Sequence, residues 1–113
     1  MADCLFCSIV AEEIPADIVL SNDDVVAFRD IAPQAPVHVL VVPRDHHANV
    51  GELASAAPAT TATLLQAAQE VAAEEGVGGA YRVVFNTGAG AGQTVFHVHA
   101  HVIGGRKLEW PPG

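Results

Sequence analysis

The sequence predicts an α+β fold in a single domain spanning residues 1–113. The expected architecture is a mostly antiparallel sheet of about five strands, one main helix, and a short N-terminal helix. Three observations predict it. A 113-residue chain can bury one ordinary core without disulfide support. The apolar period changes from strand-like runs to one helical stretch and back again. No repeat, low-complexity tract or linker interrupts the order of two short strands, strand, helix, strand, strand.

Residues 5–12, LFCSIVAE, form the expected short helix, stopped before Pro15. Residues 18–20 and 25–28 are β-prone, and Asn22-Asp23 between them supplies hairpin-turn chemistry. The loop DIAPQAP (30–36) is punctuated by prolines, and VHVLVVP (37–43) reads as a strand buried on both faces and ended by Pro43. In residues 61–76, Leu64, Ala68, Val71 and Ala72 fall on one helical stripe. Gly76 is a natural C-terminal stop. Glu74 and Glu75 face the negative end of the helix dipole, so fraying of the last turn is expected. Residues 81–86 form the next strand, NTGAGAGQT (86–94) a glycine-rich loop, and TVFHVHAHVI (94–103) the last strand, paired as a hairpin with its predecessor.

Composition excludes several classes. Thirteen acidic residues stand against five basic ones, giving a net charge of −8. Nucleic-acid affinity rests on Lys and Arg neutralising phosphates, so a nucleic-acid platform is not expected. No apolar run is long enough for a membrane helix. The opening MADCLFCSIVAEEIP lacks the basic and long apolar regions of a signal peptide, and the expected compartment is the cytoplasm. Any anionic ligand must be held by histidines, backbone N–H groups and a few polar side chains.

Three of the six histidines stand at alternate positions in FHVHAHVIGG (96–105). Alternate strand residues share a face. His97, His99, His101 and Ile103 therefore point one way, while Phe96, Val98, Ala100 and Val102 form an apolar stripe expected to face the core. The histidines should line the more accessible face, about 7 Å from one to the next. Two chemistries suit them. Two imidazoles at i and i+2 can ligate one zinc, which a third ligand from elsewhere would complete as a catalytic site. Alternatively the central imidazole is a nucleophile toward phosphorus, with its neighbours orienting it and donating to phosphate oxygens. The preceding loop favours the second. Gly88, Gly90 and Gly92 let backbone approach an anion closely, and Gln93 and Thr94 place an amide and a hydroxyl beside it.

HVHAHVI (97–103) resembles the H-φ-H-φ-H-φ-φ signature of the histidine triad superfamily, in which φ is apolar. Residues 28–46, residues 81–105 and the terminal WPPG (110–113) are similar to its Hint-like branch, so the resemblance covers nearly the whole chain as one such domain. His101 separates it from the nucleotidylyltransferase branch, which resembles it but with glutamine there. The resemblance implies that His99 attacks the α-phosphorus of a nucleotide, with His101 on the phosphate, His97 shaping the site and His38 as a fourth histidine nearby. It implies Asp30 for the ribose hydroxyls, Phe28 and Ile31 as walls of the base pocket, and Asn86, Gly92, Gln93 and Thr94 around the phosphate and leaving group. Thr94 stands where the family often has serine, keeping the hydroxyl that helps protonate a departing amine. The implied activity is hydrolysis of purine nucleoside phosphoramidates or related adenylates through a nucleotidyl-histidine, releasing AMP or GMP. Dinucleoside polyphosphate hydrolysis and a nucleotide-binding regulatory module with little turnover are the alternatives. A homodimer built through the helix and a sheet edge is implied, with the tail and Trp110 reaching the partner. No organic cofactor and no catalytic metal are implied.

Cys4 and Cys7 form a C-x-x-C pair. No βαβ pattern surrounds them as a thioredoxin-like motif requires, and two buried thiols without a role would also fit. Similarity to some bacterial histidine triad proteins implies a third possibility, a structural zinc on Cys4, Cys7, His46 and His97, with His47 the adjacent substitute. Such a Cys₂His₂ set makes a closed tetrahedral site.

Overall fold

The computed structural model describes residues 4–113; residues 1–3, which open the stretch read for a signal peptide, lie outside the described residues. The elements are α1 (Leu5–Val10), β1 (Ile18–Ser21), β2 (Val25–Arg29), β3 (Val37–Pro43), α2 (Val50–Ala56), α3 (Pro58–Glu74), β4 (Tyr81–Val84), a 3₁₀ turn (Ala89–Ala91) and β5 (Ala100–Gly104). They build one five-stranded sheet in the order β1-β2-β3-β5-β4. Every neighbouring pair is antiparallel. Among the described residues no helix is long and apolar enough to cross a membrane.

β3 is the spine, and all seven of its residues are buried. Its side chains alternate between two apolar layers. Val39 and Val41 join Val25, Ala27, Ala100 and Val102 in a core sealed by Leu53 of α2 and by Leu64, Ala68, Val71 and Ala72 of α3. Leu40 and Val42 join Val26, Phe28, Phe6 and Ile9 in a second layer beneath α1. The continuous apolar run of β3 thus has a partner for each side chain, as a strand covered on both faces requires. His38 lies in the second set by alternation, which puts it on the α1 face of the sheet.

The helical stripe forms the expected seam, and α3 ends as Gly76 demands. Gly76 sits at φ 83°. Its N–H donates to the Ala73 carbonyl at 3.1 Å and the Val77 N–H to that of Ala72 at 2.9 Å, the paired bonds of a Schellman stop. The last turn does not rest on the dipole alone. Glu75 is clamped by both terminal nitrogens of Arg29, with Nη2 to Oε2 at 3.0 Å, and this ties the helix end to the sheet.

Helix α1 ends at Val10 rather than at residue 12 and α3 begins at Pro58 rather than at residue 61, and three larger differences bear on the site. Residues 50–56 form α2, which the periodicity of seven residues was too short to announce. Its signals are local: Asn49 Oδ1 accepts from the Glu52 N–H at 2.9 Å as an N-cap, and Pro58 opens α3 immediately afterwards. β4 stops at Val84 rather than at residue 86. β5 begins at Ala100, so residues 94–99 of the expected last strand carry no ladder. Their backbone is held differently: the Val98 N–H donates to the His47 carbonyl at 2.7 Å, and Gln93 brackets the loop from within. β4 and β5 do pair antiparallel, but through a long connection rather than a tight turn.

The core seam makes a direct stability test. Leu64 is fully buried and its neighbour Leu65 is 48% exposed. Leu64→Ala is expected to lower unfolding free energy by about 2–5 kcal/mol, and Leu65→Ala by less than about 1 kcal/mol. Equal losses in urea denaturation would contradict this placement of the stripe.

Candidate functional site

The site forms where β3, β5 and the segment entering β5 come together under the end of α1. Leu40 of β3 pairs with His101 of β5, and His38 with Ile103. His38 and His101 are therefore diagonal neighbours on one face, and their rings meet, His38 Nε2 lying 2.9 Å from His101 Nδ1. The His99 ring lies edge-on to His101 at a centroid distance of 4.9 Å.

The expected face is right, and its exposure is not. Val98, Ala100 and Val102 are buried against the helical layer, as the alternation requires. Phe96 is instead 51% exposed, because the segment leaves the pleat before Val98. His97 is fully buried and His99 only 8% exposed. The physical reason is α1, whose Phe6 lies edge-on to His99 at 5.0 Å and also to Phe28 at 5.4 Å. The helix covers the end of the face that strand alternation alone left open. Phe6 is the contact that the site residues expected from sequence omit; its signal was the apolar Phe6–Ile9 spacing of a helix with a side to bury.

Backbone groups fix the protons on these imidazoles. The His97 carbonyl can only accept, so His99 donates to it from Nδ1 at 2.9 Å, and the lone pair of a neutral His99 sits on Nε2. The Pro43 carbonyl likewise accepts from His97 Nε2 at 2.9 Å, leaving the His97 lone pair on Nδ1. The Gln34 N–H donates to His38 Nδ1 at 3.0 Å. Neutral His38 then carries its proton on Nε2 and donates to His101 Nδ1, which leaves the His101 proton on Nε2. The chain presents a free nitrogen lone pair on His99 and an N–H on His101 from adjacent rings.

Burial disfavours the charged form of two of these rings, His101 and His97. It pushes the His101 pKa down to about 4, helped by the charges of His99 and His38 and opposed by Asp30. Burial also lowers the pKa of His97, with the Pro43 hydrogen bond acting the other way and neighbouring His46, His99 and His47 adding to the depression.

The other expected site residues are distributed unevenly. Asp30 Oδ1 accepts from the Ala32 N–H at 2.8 Å, and Oδ2 lies 3.5 Å from His38 Nε2 at the edge of the histidine face. Phe28 is buried beneath that face, whereas Ile31 is fully exposed and forms no wall with it. Gly92 takes φ 96°, and a Cβ there would lie 3.8 Å from Asn86 Nδ2, so these two expected phosphate neighbours stand together. Thr94 is exposed. Gln93 is buried with its amide turned into the loop: Oε1 accepts from the Gly88 N–H at 2.9 Å, and Nε2 donates to the carbonyls of Ala48 and Val95 at 2.7 and 3.0 Å. Its amide N–H groups are engaged in shaping the loop rather than aimed at a ligand. A cavity of about 570 Å³ lies elsewhere, between Ile9, Ile14, Val26 and Arg44, and no histidine lines it.

Among the described residues two clusters have metal-ligand composition: Cys4, Cys7, His46 and His97, and Asp30, His38 and His101, each with its donor atoms within 4.8 Å of one another. The proton assignments separate them. In the first, His97 Nδ1 carries its lone pair 3.4 Å from both sulfurs, and His46 Nδ1 lies 3.4 Å from Cys7 Sγ. Tetrahedral zinc with bonds of about 2.0–2.3 Å places its donors about 3.3–3.8 Å apart, and these three separations fall in that range. Without an ion the Cys7 thiolate is disfavoured: burial, then Cys4, pushes the Cys7 pKa up to about 11. In the second cluster the Gln34 N–H occupies His38 Nδ1, so His38 Nε2 keeps a proton and faces His101 as a donor. That cluster is a hydrogen-bond chain rather than a ligand set.

Residues 11–108 match the model of the HIT domain. An uncharacterised HIT-like protein of Synechococcus elongatus is 50% identical over 111 residues, covering 98% of this chain and 97% of that protein. A HIT family hydrolase from Legionella pneumophila superposes with a TM-score of 0.94 at 44% identity, covering 98% of this chain and all of the other. A histidine triad nucleotide-binding protein from Candida albicans superposes with a TM-score of 0.80 at 28% identity, covering 96% of this chain and 83% of its own.

Proposed function

The chain belongs to the HIT domain family, and from that premise and the geometry of its histidine face we propose that it hydrolyses purine nucleoside phosphoramidates or related adenylates through a covalent intermediate on His99. The observation that carries this is the bond from His99 Nδ1–H to the His97 carbonyl, which leaves Nε2 as an unprotonated nucleophile beside the His101 N–H.

The chemistry follows from those positions. His99 Nε2 attacks the α-phosphorus, forming a P–N bond as the bond to the leaving group breaks. The His101 Nε2–H donates to a non-bridging oxygen, where negative charge gathers in the transition state. The Thr94 hydroxyl, which is exposed, supplies a proton to the departing amine. Water then displaces His99 from phosphorus and releases AMP or GMP. Dividing the displacement in two lets one imidazole serve as nucleophile first and leaving group second. Asp30, at the edge of the histidine face, takes the ribose hydroxyls. A nucleotide substrate is further supported by the similarity to the histidine triad nucleotide-binding protein of Candida albicans.

The first metal cluster takes a structural zinc on Cys4, Cys7, His46 and His97. It pins α1 to the sheet and fixes the His97 ring without touching the substrate. A homodimer is supported by β4 standing at the sheet edge, by Leu65 on the outer side of α3, and by Trp110, which is 82% exposed. Cytoplasmic residence fits a chain whose thiol pair is free.

His99→Ala is expected to lower turnover of adenosine 5′-phosphoramidate by about 10³-fold or more while AMP affinity changes by less than about threefold. Unchanged turnover would remove His99 from the mechanism. Elemental analysis of protein purified without chelator should give about one zinc per chain, lost in Cys7→Ser. Metal-free wild-type protein that folds normally would dismiss the ligand set.

A further inference from the structure

A structural ion uses the sulfurs of Cys4 and Cys7 only as ligands, yet their placement suits a second chemistry. Cys4 caps α1, its Sγ accepting from the Cys7 N–H at 3.3 Å. The two sulfurs stand within 4.8 Å of each other on the C-x-x-C spacing that dithiol–disulfide pairs use. A disulfide joins sulfurs at about 2.05 Å, so closure needs a movement of less than about 3 Å. Both side chains are free and half-buried, within reach of a small oxidant. The same pair stands behind the nucleophile. His97 Nδ1 lies 3.4 Å from each sulfur, and the His97 carbonyl accepts the His99 proton. Phe6, between the two cysteines in sequence, lies edge-on to His99. Two of the groups that hold the His99 ring are thus anchored through one thiol pair.

We propose that Cys4 and Cys7 form a peroxide-sensitive switch, in which disulfide formation excludes the metal ion and loosens the support of His99. The effect on turnover rests on the function proposed above; the exclusion of metal does not. Cys4, as the thiolate, attacks hydrogen peroxide, breaking the O–O bond and giving a sulfenic acid and, after protonation, water, and Cys7 is the second thiol. The second thiol attacks that sulfur; the S–S bond forms, the S–O bond breaks, and a second water leaves. The two sulfurs lose two electrons and peroxide gains them. Neither sulfur then offers a thiolate to an ion, and the His97 ring keeps only its Pro43 bond.

The test titrates reduced, full-length protein carrying one equivalent of zinc with hydrogen peroxide. Intact mass, zinc release to a coloured chelator, the His99 ring signals in ¹⁵N NMR, AMP binding and turnover are followed together. The expected result is a mass loss of two hydrogens per chain, stoichiometric zinc release and a shifted His99 signal. Turnover falls by about tenfold or more and recovers with dithiothreitol and zinc. Cys4→Ser and Cys7→Ser should each make turnover insensitive to peroxide; should either fail to fold, reversal in wild type still decides. A disulfide that retains zinc, a disulfide that leaves the His99 signal unmoved, or inactivation by irreversible sulfinic acid would each overturn the switch. If phosphoramidate is not hydrolysed at all, the proposed function fails, while mass, zinc and NMR continue to judge the switch independently.

Discussion

The site depends on one hydrogen bond, from the ring of His99 to the carbonyl of His97 at 2.9 Å. An isolated neutral histidine exchanges its proton between two nitrogens. A carbonyl oxygen has no proton to give, so this contact selects Nδ1–H and leaves the lone pair on Nε2. Its consequences run in both directions. Outward, it leaves the Nε2 lone pair of a neutral ring beside the N–H of His101. Inward, it makes the His99 ring only as steady as the backbone at His97, and that backbone lies outside the regular ladder of β5. The requirement explains why so much unrelated chemistry converges on residue 97. Its side chain donates to Pro43 at the end of the central strand and approaches both cysteines and His46.

The two layers of the sheet divide the work. The α3 side is aliphatic and built from small and medium side chains, which lets a long helix pack closely over β2, β3 and β5. The α1 side is thinner, with six buried residues that include both Phe6 and Phe28. A six-residue helix is too short to hold itself by propensity, so α1 depends on what its side chains touch. Those contacts are Phe6 and Ile9 against the sheet and two cysteines against His97 and His46. The helix laid across His99 is therefore held by these few contacts, the Cys₂His₂ cluster among them.

Much of this was legible in sequence where a rule acts locally. Strand β3 follows from an unbroken apolar run ended by Pro43, the α3 stop from Gly76, and the β1–β2 turn from Asn22, whose Oδ1 accepts from the N–H groups of Asp24 and Val25. Alternation put Val98, Ala100 and Val102 on one face, and resemblance collected four distant residues, Cys4, Cys7, His46 and His97, that the fold brings within ligand distance of one another. What escaped was whatever depends on a covering element. Period-two reasoning says which side a histidine takes, not whether a helix from elsewhere lies on that side, so the burial of His97 and His99 under α1 was missed. It also assumes a straight pleat, and Phe96 lies where the backbone leaves one. Gln93 shows a third limit: an amide beside a glycine loop reads equally as a ligand group or as the loop's own brace, and here it ties the loop to Ala48.

The most direct test of this account is a crystal of the protein reacted with a slowly hydrolysed adenosine 5′-phosphoramidate and frozen before turnover ends. Electron density joining the α-phosphorus to Nε2 of His99, with Nδ1 still bonded to the His97 carbonyl, is the expected result. Phosphorus attached at Nδ1, or to His97 or His101, would contradict it.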